Sequence, residues 1–595
     1  MCRNLGEKES HTLQFMHTYI YISFFPSLYT TFFQIKIPFT TLSNMSSRYE
    51  RMFSGSALRL ANYVDKLPKI YNVYFIASIS TVAGLMFGFD ISSMSAFIDA
   101  GPYGSYFNHP GSTLQGFITA SMALGSIFGS IAASFVSEPF GRRLSLMICS
   151  LLWIIGASVQ SSSQNVAQLI IGRIISGLGV GFGTSVAPIY GAEISPRKRR
   201  GAVNGLFQFA VALGILIMFF FCYGVGHING VGSFRVGWGF QIVPGLLLFL
   251  GCFAIPESPR WLAKQGRWEQ AEDIVTKIQA HGNHEDPEVL IEIAEIKEQL
   301  LIDQEAKAIT YFTLFTKKYL KRTFTAMFAQ AWQQLTGNNV MMYYIVYIFK
   351  MAGYEGDSNL IASSIQYILF VVCTVPALFL FDKFGRRPLL IGGAIMMMIF
   401  QFGLTGILGQ YAKPWPDSGN ESVTIKIPSD NKAAARGAIA CSYLFVSSFA
   451  ATWGVGIWVY CAEVWGDNRV SQRGNSLSTC SNWCFNFALA MYTPVGFKNI
   501  NWRTYIIYGV FCLTMAIHVY LGFPETKGKR LEEVGQMWDD KVPAWRSASW
   551  KPIIPIDPDS ELARKLSVDH VEHIDFKERE SIVVDNTSSA ESNDI

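Results

Sequence analysis

Phe140-Gly141-Arg142-Arg143 occurs a second time in the chain, as Phe384-Gly385-Arg386-Arg387. Three further motifs follow each copy in the same order. After the first copy they are Tyr190-Gly191-Ala192-Glu193, Arg200-Gly201 and Pro256-Glu257-Ser258, and after the second they are Tyr460-Cys461-Ala462-Glu463, Arg473-Gly474 and Pro524-Glu525-Thr526. A single tetrapeptide recurs easily by chance, but four ordered matches do not. The sequence therefore predicts an internal duplication.

Long apolar stretches surround these motifs. A transmembrane helix needs about 20 mainly apolar residues. The stretches of that kind are about 73–97, 114–136, 144–162, 168–190, 202–223, 240–255, 323–349, 361–381, 389–411, 434–463, 475–497 and 503–522. We therefore predict an all-α polytopic membrane protein with twelve transmembrane helices in two six-helix halves. Duplicated six-helix halves are typical of secondary transporters that bind their substrate at the membrane midplane, between the halves.

Composition supports a membrane protein and excludes other classes. Only 15% of the 595 residues are charged, against about 25% in soluble domains. The stretches 256–322 and 525–595 together hold 48 of the 92 charged residues (48 basic plus 44 acidic). No concentrated basic face suggests a nucleic-acid partner. Since the sequence has no GxxxxGK[ST] loop, catalytic triad pattern or metal-ligand spacing, we predict no enzyme activity, no cofactor and no metal site.

Lys and Arg residues in the short loops predict the orientation. They concentrate in the even-numbered loops, which are therefore expected to be cytoplasmic, together with both termini. The expected segments are a dispensable or mis-assigned extension 1–44, a cytoplasmic N-terminus 45–72, a first half 73–255, a cytoplasmic helical linker 256–322, a second half 323–523 and a mostly disordered cytoplasmic tail 524–595. The external loop after the ninth span contains Asn420-Glu421-Ser422, a possible glycosylation site.

Two ionisable residues lie well inside predicted spans. Asp90 falls in the first span and Arg173 in the fourth. Because an isolated charge within a membrane is costly, we expect the two side chains to pair. A carboxylate beside a guanidinium can still be protonated when burial and rearrangement weaken the pair. Asp90 and Arg173 are therefore the candidate proton-coupling residues, and a static ion pair is the alternative interpretation.

Amide and aromatic side chains concentrate in the seventh, tenth and eleventh spans, and Gln208 of the fifth span adds the same chemistry. Neutral polyols need both hydrogen-bond donors and acceptors, which amides supply without charge, and aromatic faces pack on sugar rings. The candidate substrate-binding residues are Gln208, Gln333, Gln334, Asn339, Tyr343, Trp458, Asn482, Trp483 and Asn486. The alternative interpretation is that these amides hold helices together within the membrane.

Charged residues of the repeated motifs lie at the cytoplasmic ends of predicted helices. Carboxylates and guanidiniums placed there can form bridges between helices, so we expect a cytoplasmic gate that holds one conformation. The candidate gate residues are Glu138, Arg142, Glu193, Arg200, Asp382, Arg386, Glu463 and Arg473. Simple solvation of the surface is the alternative interpretation.

These motifs together resemble the sugar-porter branch of the major facilitator superfamily, from about Met45 to Trp545. The residues around Asp90 and around Trp458 look most like those of fungal high-affinity glucose transporters, which are proton symporters. The resemblance implies the major facilitator fold, a plasma-membrane location, and a hexose and a proton as transported partners. It implies sugar contacts at Gln208, Gln333, Gln334, Asn339, Trp458 and Asn486, and a proton site at Asp90 with Arg173 as its partner.

Three residues depart from the family pattern. Glu138 stands where many relatives have Asp, and Gly454-Val455 where they often have Gly-Pro. Phe370 aligns with a sugar-binding Asn of the eighth span, so a polar contact is missing. The alternatives to a proton-coupled importer are a sugar sensor with little transport and a sugar facilitator without proton coupling. The sequence does not indicate an oligomeric state.

Overall fold

The computed structural model of the chain describes residues 67–551 except 196–199, 281, 306–309, 417–419, 467 and 530. Segment 1–44, most of segment 45–72 and the tail after residue 551 lie outside the described residues, as do the side chains of Arg200 and Asp382. The chain divides into two units, Met1–Pro68 and Lys69–Ile595, and nearly all described residues belong to the second.

Helices account for most of this unit. The first half contains α1 (Val73–Phe97), α2 (Gly101–Tyr106), α3 (Ser112–Phe140), α4 (Arg142–Ser161), α5 (Val166–Ile194), α6 (Arg200–Val225), α7 (Gly232–Phe240) and α8 (Ile242–Ala254). The linker contains α9 (Pro259–Lys264), α10 (Trp268–Gln279), α11 (Pro287–Glu305) and a 3₁₀ helix (Tyr311–Phe315).

The second half contains α12 (Leu320–Leu335), α13 (Asn338–Tyr343), α14 (Ile345–Met351), α15 (Gly356–Phe384), α16 (Arg386–Tyr411), α17 (Lys432–Phe449), a π-helical segment (Ala450–Gly454), α18 (Val455–Glu463), α19 (Asn468–Ile500), a 3₁₀ turn (Asn501–Arg503) and α20 (Thr504–Gly522). After it come α21 (Leu531–Asp539) and a 3₁₀ turn (Ala544–Arg546). The loop between α16 and α17 forms a small antiparallel pair of β1 (Lys413–Pro414) and β2 (Ile425–Lys426).

The predicted all-helical membrane architecture is confirmed. Ten helical stretches of the described chain are long and apolar enough to cross a membrane, and the last of them, Val470–Gly522, contains most of α19 and all of α20. The predicted seventh span is not among the ten because its longest helix, α12, has only 16 residues. This arrangement is consistent with the twelve predicted spans.

The seventh span is broken where the sequence analysis predicted one continuous helix. Helix α12 ends at Leu335, and Gly337 adopts a left-handed conformation with φ of 84° before α13 begins. A side chain at this position would strain the backbone, and its Cβ would lie 2.8 Å from the Tyr508 ring. The break places the amide-rich sequence at the junction of two short helices, as in the broken helices of other transporters.

The tenth span also departs from a regular helix. Residues Ala450–Gly454 are π-helical and connect α17 to α18. Such π segments leave some backbone carbonyls without their usual helical partners and are frequent at functional sites. The irregularity falls at Gly454-Val455, where the Gly-Pro pair of relatives is missing.

The two copies of the repeat build the same local structure. A buried glutamate caps the helix that begins with each Arg-Arg pair. Glu257 accepts hydrogen bonds from the backbone N–H groups of Arg142 and Arg143, and Glu525 accepts them from Arg386 and Arg387. Negative charge at a helix N-terminus is favourable because unpaired N–H groups and the helix dipole point toward it.

The two halves meet along helices that the repeat relates to one another. Helix α3 packs against α19, and α15 packs against α6. Since α3 corresponds to α15 and α6 corresponds to α19, the interface has the approximate twofold symmetry expected of a duplication. We call the end of the bundle with both Arg-Arg pairs the motif end, and the opposite end the far end.

Candidate functional site

Five of the predicted substrate-binding residues form one hydrogen-bonded network, which we call the amide cluster; four of them are buried and Asn339 is partly buried. Gln334 Nε2 donates to Asn482 Oδ1 at 2.8 Å. Gln334 Oε1 accepts from Asn339 Nδ2 at 2.7 Å and from Asn486 Nδ2 at 3.2 Å. Asn482 Nδ2 donates to Gln333 Oε1 at 2.9 Å. Helices α12, α13 and α19 therefore bring these residues together around the break in the seventh span.

The cluster retains hydrogen-bonding capacity for a ligand. Among the described residues, Asn339 and Asn486 each donate one N–H to Gln334, and their carbonyl oxygens have no protein partner. Each amide can offer a second N–H and an acceptor oxygen. Asn482 differs, since its carbonyl oxygen and its amide nitrogen are both bonded within the protein. Its contacts therefore support the orientation of the other amides.

Gln333 connects the amide cluster to the π-helical segment. Its Nε2 donates to the backbone oxygens of Trp453 at 3.1 Å and Gly454 at 3.3 Å. These carbonyls belong to the segment whose regular helical bonds are disturbed. Gln333 therefore satisfies backbone groups that the π segment exposes, besides belonging to the cluster.

Aromatic residues join the two halves beside the cluster. Trp458 Nε1 donates to Gln208 Oε1 at 3.1 Å, which connects α18 with α6. Trp483 Nε1 donates to Thr184 Oγ1 at 3.3 Å, and its ring meets that of Phe87 edge-on at 4.9 Å. The predicted pair Gln208 and Trp458 is thus brought together across the interface.

Tyr343 and Phe370 are both buried, on α13 and α15. No hydrogen bond among the described residues connects Tyr343 to the amide cluster. The Phe370 ring stacks on Phe449, with ring centroids 6.2 Å apart. The aromatic residue at the position of the family's Asn is therefore part of the packing between α15 and α17.

Asp90 and Arg173 pair as expected. Arg173 Nη2 lies 3.0 Å from Asp90 Oδ2, and both side chains are 0% exposed. The same nitrogen donates to the backbone oxygen of Thr119 at 3.2 Å. Asp90 Oδ1 and two further nitrogens of Arg173, Nε and Nη1, have no partner among the described residues. Buried polar atoms normally are hydrogen-bonded, so this pair is incompletely satisfied and costly to keep charged.

Charged motif residues pair within each half at the motif end. Arg142 Nη2 lies 2.8 Å from Glu193 Oε1. In the second half, Arg386 binds Glu463 through two nitrogens, at 2.8 and 3.1 Å. The carboxylate of Glu463 also accepts from Thr526 Oγ1 at 2.6 Å. The two equivalent pairs show that the duplicated motifs produce duplicated contacts.

A further charged contact at the motif end connects the halves. Arg473 Nη2 lies 3.0 Å from both carboxylate oxygens of Glu138. The neighbouring Gln472 donates to Ser137 Oγ at 2.9 Å, and its Oε1 accepts from Arg142 at 3.5 Å. These contacts hold α19 against α3 at this end.

The linker adds an uncharged bridge to the same interface. Tyr311, in the 3₁₀ helix of the linker, hydrogen-bonds to Ser134 of α3 at 2.5 Å. Its hydroxyl also donates to Ser476 of α19 at 3.2 Å. One linker side chain therefore contacts both halves.

The far end is bridged as well. Lys350 Nζ lies 3.0 Å from Asp99 Oδ2, and Asn420 Nδ2 donates to Asp99 Oδ1 at 2.9 Å. Glu421 Oε2 accepts from Lys498 Nζ at 2.8 Å and from the Ser112 N–H at 3.3 Å. The amide nitrogen of the possible glycosylation site is thus part of a contact between the halves.

Sequence reasoning missed several of these residues, although some carried a signal. Gln330 accepts from Asn482 Nδ2 at 2.7 Å, and it stands three and four residues before Gln333 and Gln334 on the same helical face. The capping residues Glu257 and Glu525 lie in the repeated motifs but received no role. Asp99, Lys350 and Tyr311 lie in loops or at helix ends, and no local pattern identifies their partners.

Comparison with known proteins places these features in context. The family model described as "Sugar (and other) transporter" matches residues 71–538. High-affinity glucose transporter 1 of Candida albicans is 73% identical over 528 residues, which cover 89% of this chain and 97% of the relative. A high-affinity glucose transporter of Kluyveromyces lactis is 52% identical over 531 residues, which cover 89% of this chain and 96% of that protein.

A solved structure has the same architecture. The proton:xylose symporter XylE of E. coli, bound to 6-bromo-6-deoxy-D-glucose, is 27% identical, with a TM-score of 0.66. The likeness covers 78% of this chain and 99% of the solved chain. The likeness therefore extends over both halves.

Proposed function

The chain belongs to the sugar transporter family of the major facilitator superfamily, and from this premise we propose that it imports a glucose-like hexose together with protons. The resemblance found in the sequence is thereby confirmed. Membership of a transporter family also confirms that the chain is not an enzyme. We infer alternating access, in which the two halves rock about a central site and open it to one side at a time.

The observation that carries this proposal is the amide cluster at the break of the seventh span. It places neutral donors and acceptors between helices of the second half, beside aromatic residues that contact the first half. A hexose presents several hydroxyl groups and an apolar ring face, and this combination suits both. The named activities of the Candida and Kluyveromyces relatives support glucose as the preferred type of substrate.

Proton coupling is proposed to run through Asp90 and Arg173. Protonating Asp90 removes its attraction for Arg173 and leaves the buried guanidinium unpaired, which favours a rearrangement in which Arg173 finds other partners. If the first helix then moves to complete the sugar site, sugar and proton favour the same state. Each ligand then increases the affinity for the other by the same factor, which is what coupling requires.

The protein is proposed to lie in the plasma membrane with the motif end and both termini in the cytoplasm. The Lys and Arg residues near the motif end support this orientation through the positive-inside rule. The far end then faces the medium, from which sugar and protons enter. The partners of the protein are accordingly a sugar, a proton and the lipid bilayer.

Uptake of a panel of radiolabelled sugars, with and without a protonophore, tests the proposal. We expect accumulation of glucose against its gradient and loss of that accumulation when the protonophore is present. Uptake that only equilibrates and ignores the protonophore would indicate a facilitator. Sugar binding to purified protein without uptake would indicate a sensor.

A further inference from the structure

Asp99 lies at the far end of the helix that also carries Asp90. Helix α1 ends at Phe97, and Asp99 follows two residues later. Its partner Lys350 belongs to α14, which is part of the broken seventh span and follows Tyr343 and Tyr344 directly. The pair therefore connects the end of the first helix of one half with a short helix of the broken seventh span in the other.

This pair is more enclosed than an ordinary surface ion pair. The Lys350 and Asp99 side chains are 16% and 19% exposed. Asp99 also accepts the hydrogen bond from Asn420, so a loop of the second half closes on the same carboxylate. Tyr347, one helical turn before Lys350, donates to the backbone oxygen of Ile98 at 3.4 Å. Several contacts thus converge on the end of α1.

Glu421 adds a second ion pair at the same end, with Lys498. Its hydrogen bond from Lys498, together with the Ser112 N–H, holds the pKa of Glu421 below its ordinary value. The loop that supplies Asn420 is therefore attached to the start of α3.

We propose that Asp99, Lys350 and Asn420 form an outer gate that closes the far end over the sugar site. Asn420 acts in this gate as a hydrogen-bond donor, and a glycan on its Nδ2 would occupy the space in which Asp99 must approach. The proposal rests on the proposed transport function, since a gate has meaning only for a site that opens alternately to the two sides.

Substitutions that reverse the charge of Asp99 or Lys350 test the gate. In Asp99→Lys or Lys350→Asp, like charges face each other and the far end should open. The expected results are faster hydrogen-deuterium exchange in peptides covering residues 98–111 and a maximal uptake rate reduced about two- to fivefold, as for a partly exposed ion pair. The double variant restores opposite charges and should recover both values.

A matched pair at the same end provides the control. Glu355 and Lys426 form an ion pair within the second half. Glu355→Lys should therefore leave the exchange of residues 98–111 and the uptake rate unchanged. The gate is refuted if the double variant fails to recover, or if Glu355→Lys reproduces the effect. Absence of uptake by the unaltered protein would instead refute the transport function, while the exchange measurement would still report on the gate.

Two variants of the sequon separate hydrogen bonding from glycosylation. Asn420→Leu removes both the sequon and the donor to Asp99, whereas Ser422→Ala removes only the sequon. We expect Asn420→Leu to increase exchange at residues 98–111, as Lys350→Asp does, and Ser422→Ala to match the unaltered protein. If Ser422→Ala increases exchange as much as Asn420→Leu does, modification of the sequon, and not the hydrogen bond of Asn420, controls closure.

Discussion

Asp90→Asn should separate sugar binding from proton coupling. Asparagine resembles the protonated acid but cannot release a proton inside, so exchange of sugar should continue while uphill accumulation fails. The assay compares accumulation and counterflow in the same vesicles at two external pH values. Asp273→Asn, which alters a half-exposed carboxylate on α10, should behave as the unaltered protein. Accumulation retained by Asp90→Asn would mean that coupling occurs elsewhere.

Gln334→Ala should weaken sugar binding. This side chain bonds to three other amides of the cluster. Its loss leaves Asn339 and Asn486 without the acceptor that orients them. One hydrogen bond to the sugar is worth about 0.5–1.5 kcal/mol, so losing one through misorientation should raise half-saturation roughly two- to tenfold. Concentration-dependent uptake measures it. Gln160→Ala removes a buried amide bonded to Ser176 and should leave half-saturation unchanged. No change in Gln334→Ala would assign that residue to helix packing.

At the scale of residues, the sequence predicted which residues form the candidate site better than it predicted the role of each one. The spacing of Gln333, Gln334 and Asn339 indicated a shared face, and they do share a network. Two features depend on distances between α12 and α19. Both ends of the Asn482 amide are bonded within the protein, and Gln330 takes part in the network. Such tertiary distances have no signature in a single sequence.

The capping role of Glu257 can be tested by comparing the stability of two variants of this residue. Glu257→Leu would leave the N–H groups of Arg142, Arg143 and Ser258 without their acceptor, whereas Glu257→Gln retains an oxygen that can accept. Each unsatisfied buried N–H costs about 1–3 kcal/mol. We expect a clear loss of thermal stability in Glu257→Leu and a smaller loss in Glu257→Gln, measured by unfolding in detergent. Equal stability of the Leu variant would contradict the capping role.

Burial raises the pKa of Glu257, and Arg143 and the three N–H groups oppose that rise. The same geometry recurs at Glu525, so Glu525→Leu should destabilise the protein in the same way. A large difference between the two sites would show that the duplicated halves no longer share this support.

At the scale of elements, the long apolar stretches predicted where helices lie, but not where they break. Gly337 could have suggested the break in the seventh span, yet a glycine within a membrane helix is common and ambiguous. The π segment has even less signal in the sequence, and the donor to its Trp453 and Gly454 carbonyls is Gln333, which comes from another helix.

The whole molecule has contacts between its halves at both ends, and the motif-end contact can be tested by charge exchange. Glu138→Arg or Arg473→Glu should weaken closure at that end, and the double variant should restore it. The side chains are 33% and 25% exposed, so each change should shift the balance of conformations by a factor of about two to five.

Sugar efflux and influx, compared in the same membranes, measure this shift. We expect the single variants to change the ratio of the two half-saturation constants and the double variant to recover it. Lys277→Glu, at an exposed pair on α10, is the control. If the double variant behaves like the singles, Glu138 and Arg473 do not act as a pair.

The contact of Gln333 with the π-helical carbonyls has a consequence for how such proteins diversify. One side chain belongs to the amide cluster, the proposed sugar site, and also supports the irregular backbone of the tenth span. Mutations there cannot alter preference for a sugar without altering the flexibility on which turnover depends. Selection for new sugars should therefore favour changes at Asn339 and Asn486, whose carbonyl oxygens accept no hydrogen bond from the part of the chain that the structure describes, and leave Gln333 unchanged.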